Sequence, residues 1–143
     1  PPRSTLFPYT TLFRSVYRQM DKTGWLPFVK AAIERNPVCF NDLYGKDLAE
    51  VYTILDCLPD VSIYDGKRMA LPDEVWNFKR GDGIEKAFLL ADFIVHKDPS
   101  AEVIIHSGNN NVILKHSGID YSFRTGKNLP KHIRIFGNNY EIT

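Results

Sequence analysis

Residues 72–91 read PDEVWNFKRGDGIEKAFLLA, and this stretch decides the fold. Its centre, Gly81-Asp82-Gly83, separates two helical patterns. Pro72 followed by Asp73 and Glu74 predicts a short helix over residues 72–78. Proline is tolerated in a first turn, and the carboxylates complement the helix dipole there. After the glycines, Asp82 can cap a second helix, and Glu85 three residues later completes a capping box. Ala87, Leu90, Ala91 and Ile94 recur on one face, which Ile84 and Phe88 widen. That helix is expected to stop before Asp98-Pro99.

Upstream, Trp25, Leu26, Val29, Ala32 and Ile33 have helical spacing, so residues 25–35 read as a helix that Asn36-Pro37 ends. Leu48, Val51, Tyr52, Leu55 and Leu58 share a face over residues 46–58, and Pro59-Asp60 stops that helix. Residues 61–64 read as a short extended piece. Downstream the period changes to two. Residues 102–106, 111–116 and 120–124 are expected as strands, with Ser107-Gly108 and Ser117-Gly118 as hairpin turns. Residues 133–136 and 140–142 add a last hairpin. Helices first and an antiparallel meander second is an α+β order, with the capped helix buried against the sheet. Tyr121 and Phe123, with Trp76 and Phe78, are expected in the core.

The segment around Gly81-Asp82-Gly83 resembles the core of transglutaminase-like domains, a papain-like thiol fold. In that family a short helix leads into a Gly-Asp-Cys turn. The cysteine opens a buried helix and is followed by an acidic residue, a basic residue and alanine. Gly81, Asp82, Glu85, Lys86 and Ala87 fit, and Leu89-Leu90-Ala91 continue the helix. The resemblance covers roughly residues 72–125. It implies a thiolate stabilised at a helix N-terminus, a histidine on the next-but-one strand and a carboxylate on the third. The cysteine position falls on Gly83. Residues 110–112, where the histidine belongs, contain none, and Arg124 stands where the carboxylate belongs. The resemblance therefore implies a domain with no catalytic residue and a binding or scaffolding role. Asp82, Gly83, Asn111 and Arg124 are its candidate cleft lining, with a peptide or glycan as ligand.

Two other readings stay open. One is a thiol hydrolase or acyltransferase using Cys39 with His106 or His116. Cys39 follows Pro37-Val38 in an expected loop. Cys57 is the weaker nucleophile, because the dipole near a helix end raises a thiol pKa. The other is a structural fragment of a larger enzyme.

The chain has 143 residues, enough for one domain with a core, and 43% of them are apolar. A formal charge of +1 gives no reason to expect nucleic acid or anionic lipid as a partner. No apolar run is long enough for a membrane span. Two cysteines make no disulfide framework, and both are expected in or near the core. His96, His106, His116 and His132 have no metal-ligand spacing, so no metal or cofactor is expected. His106 and His116 are expected on adjacent strands. Lys127, Lys131, Arg134 and Arg124 read as a solvated basic face. Residues 5–15, TLFPYTTLFRS, are similar to the translation of a common sequencing adapter. Residues 1–15 are therefore expected to be non-native, and residues 16–143 to be a single domain shortened at its N-terminus. The compartment is not legible.

Overall fold

The computed structural model describes residues 19–143, so the expected adapter-derived segment lies outside the described residues. The elements are α1 (Trp25–Glu34), α2 (Pro37–Leu43), α3 (Leu48–Cys57), α4 (Pro72–Phe78) and α5 (Gly83–Lys97), then β1 (Glu102–Ser107), β2 (Asn111–His116), β3 (Ile119–Arg124), β4 (Lys131–Phe136) and β5 (Asn139–Ile142). The fold is α+β, in the order the periodicity predicts. Among the described residues, no helix is long and apolar enough to cross a membrane.

Helix α2 corrects the expected loop around Cys39. Asn36-Pro37 ends α1 and also opens a new helix, because proline suits a first position as well as it breaks an interior. The side chain of Asn36 holds the junction. Its Nδ2 donates to the carbonyls of Ala31 and Ala32 at 2.7 and 3.1 Å, and its Oδ1 accepts from the Asp73 N–H at 3.0 Å. Asp73, on α4, caps α2 from a distance: its carboxylate accepts from the N–H groups of Val38 and Cys39 at 3.2 and 2.9 Å. The expected extended piece at residues 61–64 is a loop without strand pairing.

Helix α5 is the centre of the molecule. Every residue from Gly83 to Ile94 is buried. Helices α1 to α4 and strands β1 to β3 all pack against it. Phe88 meets Phe28 of α1 edge-to-face, with ring centroids 5.4 Å apart. Burial of each such large apolar side chain contributes about 1.5–3 kcal/mol.

The sheet order is β3-β2-β1-β4-β5, antiparallel throughout. The expected meander is present over β1, β2 and β3. The chain then crosses back so that β4 pairs with the other edge of β1. Ser117 and Gly118, both at positive φ, make the two-residue turn between β2 and β3. The inner face carries Val103, Ile105, Val112, Leu114, Tyr121, Phe123, Ile133 and Ile135, all buried. Tyr52 of α3 stacks edge-on against Tyr121 and Phe123 and donates its hydroxyl to the Ser122 carbonyl. Phe78 departs from the expected core: it is 63% exposed at the end of α4. Cys57 is likewise exposed, and only Cys39 is buried.

Candidate functional site

The start of α5 is a dense polar node. Asp82 Oδ2 accepts from the Ile84 N–H at 3.1 Å, and Glu85 Oε1 accepts from the N–H of Asp82 at 2.8 Å. The second bond is the reciprocal half of the capping box that the sequence predicts, and the Asp82 side chain also accepts from the backbone of Glu85 to complete it. The same carboxylates also bind distant segments. Asp82 takes the Gly126 N–H at 2.7 Å and the Thr125 hydroxyl, tying the helix to the loop after β3. Glu85 takes the Ala70 N–H at 2.6 Å and the Ser62 hydroxyl at 2.8 Å, tying it to the loop before α4. Lys86 is fully buried, and its Nζ donates to Leu58 O and Asp60 Oδ1, both at 2.6 Å. Lys127 corrects the expected solvated basic face. It is 6% exposed, and its Nζ donates to the carbonyls of Tyr64 and Gly66 at 3.1 and 2.7 Å.

Burial sets the ionisation here. It pushes the Glu85 carboxyl up, against the donors from Ala70, Asp82 and Ser62 and the charge of Lys127. It pushes the Lys127 ammonium down, against Glu85, Asp82 and Asp65.

An open recess of about 320 Å³ lies over this node. It is lined by Asp60, Ser62, Tyr64, Asp65, Lys67, Asp82, Lys127 and neighbouring backbone. Its walls carry three carboxylates, two ammonium groups and two hydroxyls, with neither a thiol nor an imidazole. That set can bind a polar ligand. It lacks the nucleophile and base of a thiol enzyme.

Of the four expected cleft residues, only Asp82 lines the recess. Gly83 is buried against the backbone of β3. A Cβ placed there would lie 2.1 Å from the Arg124 carbonyl oxygen, 2.6 Å from its carbon and 3.0 Å from Phe123 Cβ. Asn111 and Arg124 are paired across β2 and β3, and both are exposed, on the sheet face away from α5. The four therefore do not form one cleft. Strand parity is the reason: Phe123 points inward to the helix, so Arg124 must point outward and reaches Gly83 only through its carbonyl.

Cys39 lies elsewhere. Its Sγ donates to Asp92 Oδ2 at 3.1 Å, and Asp92 Oδ1 lies 2.9 Å from His96 Nδ1. The carboxylate thus sits between the thiol and the imidazole. Burial, then the carboxylates of Asp92 and Asp73, push the Cys39 thiol far above its ordinary value. Cys39 has no exposed surface. A protonated, sealed thiol is a hydrogen-bond donor, not a nucleophile. His106 and His116, the expected partners, lie on the sheet. His106 and His116 lie on the adjacent strands β1 and β2, as expected, but the register sets His106 opposite Ile113 on β2 and opposite His132 on β4, so the two imidazoles are not cross-strand partners.

Comparison with protein-family models, curated proteins and solved structures finds no match to this chain.

Proposed function

We propose that this chain is a non-catalytic domain of transglutaminase-like build with a binding or scaffolding role. One observation carries the reading: the first residue of α5 has no room for a side chain. In the family it resembles, that position holds the nucleophilic cysteine. Here the Arg124 carbonyl occupies the space that the Cβ of such a cysteine would need. The glycine is thus matched to its surroundings, and an added sulfur would have to displace a paired strand. The recess beside Asp82 is the seat for a polar ligand, a peptide or a glycan, held by hydroxyls and by charges of both signs.

Assays of the purified chain for amine transfer and amide hydrolysis test this. The expected outcome is no turnover above background in the wild type, and none in Gly83→Cys. Iodoacetamide labelling of the native chain should modify Cys57, the exposed thiol, and spare Cys39. Turnover in the wild type that a thiol reagent abolishes would overturn the reading.

A further inference from the structure

We propose that His106 and His132 form a two-imidazole binding site for a transition-metal dication of the zinc type on the outer face of the sheet. The two residues are directly opposed on β1 and β4, in a ladder of six pairs running from Glu102↔Phe136 to Ser107↔Lys131. Both side chains are exposed. Their Nδ1 atoms are 3.5 Å apart, with ring centroids at 5.7 Å and planes inclined at 63°.

The spacing is that of a chelate. Zinc–nitrogen bonds of about 2.0–2.1 Å at a tetrahedral angle place two ligand nitrogens about 3.3–3.4 Å apart. The observed separation therefore needs an adjustment of only a tenth or two of an ångström, within side-chain freedom. At that separation a proton on one Nδ1 can be shared with the other ring. Coordination uses both Nδ1 lone pairs, so that proton moves to Nε2 of its own ring. Water or an exogenous donor fills the remaining positions.

The surroundings favour the site. β1 is the central strand of the sheet, so the backbone under the pair is rigid and loses little freedom on binding. The Thr143 N–H donates to the His132 carbonyl at 2.8 Å and pins the other side. The nearest cation along that face of β4, Arg134, is engaged by Glu102 and Glu141. Imidazole nitrogen selects zinc, copper or nickel over magnesium and calcium, which prefer oxygen.

The test is calorimetric titration of the full chain with zinc chloride, paired with imidazole nitrogen NMR. The expected result is saturable 1:1 binding that shifts His106 and His132 and leaves His96 and His116 in place. Copper(II) should bind more tightly than zinc, and magnesium should give no heat. His106→Gln and His132→Gln should each abolish saturation, while His116→Gln retains it. All three positions lie on the sheet surface, and circular dichroism checks that each variant folds. Zinc binding that survives both variants, or that fails to saturate below about 1 mM in the wild type, would overturn the proposal.

Discussion

Asp82 and Glu85 at the start of α5 and Asp92 further along it are all buried, yet the protein treats them differently. The four oxygens of the first pair receive donors from Ile84, Thr125, Gly126, Asp82, Ala70 and Ser62. Asp92 receives one thiol, at 3.1 Å. Its other oxygen lies 2.9 Å from His96 Nδ1, a nitrogen equally close to the Asp92 carbonyl. One N–H cannot serve both well. Burial pushes the Asp92 carboxyl up to about 8, helped by the charge of Asp73 and opposed by the Cys39 thiol. Burial raises the Glu85 carboxyl as well as that of Asp92; the lesson is that donors oppose the rise, three of them at Glu85 and one at Asp92. The donor-rich start of α5 joins three segments of chain, whereas the donor-poor site carries the larger pH liability.

The largest of three effects that sharpen this contrast is expected at the rich end. Asp82→Ala removes a helix cap and leaves the Gly126 N–H and Thr125 hydroxyl without their acceptor. It should cost about 2–3 kcal/mol, read from urea unfolding. Asp82→Asn should cost less, because the amide oxygen still accepts.

At the poor end the sign reverses. The folded midpoint of Asp92 is raised from 3.8 to about 8. Below the lower value both states are protonated and nothing is lost. Between the two, the unfolded chain ionises while the folded chain keeps its proton, so stability falls as pH rises and levels off above about 8. Asp92→Asn cannot ionise, and should raise stability by on the order of 2 kcal/mol at pH 8 and by little at pH 4. Unfolding curves across that range check it; a destabilised variant at pH 8 would break the contrast.

The smallest effect belongs to the thiol. Cys39→Ala should cost about 1 kcal/mol. It should also lift the Asp92 midpoint further, because the thiol is the donor that opposes the shift. Carboxyl carbon NMR reads that midpoint directly.

Much of the rich end was legible in the sequence. Gly81-Asp82-Gly83 with Glu85 announces a capped helix, and Pro72 announces the short helix before it, because local hydrogen bonds fix both. The poor end was not legible. Asn36-Pro37 reads as a stop, and no local rule says that Asp73, far along the chain, caps a helix there. Cys39 reads as a loop cysteine until that helix is in place. The pairing of His106 with His132 is equally hidden, since it depends on β4 crossing back to β1 and not on any spacing within a strand. The four-residue cleft around Gly83 also failed on parity: the periodicity assigns strands, but it does not say which face meets α5.

The sealed start of α5 is the central claim, and Gly83→Ala tests it most directly. At the first position of a helix with open space around it, alanine in place of glycine would stabilise by about 0.4–1 kcal/mol. With the Arg124 carbonyl 2.1 Å from the new Cβ, the strand must shift, and a loss of about 3 kcal/mol is expected in urea unfolding. A Gly83→Ala chain as stable as the wild type, or more so, would contradict the claim.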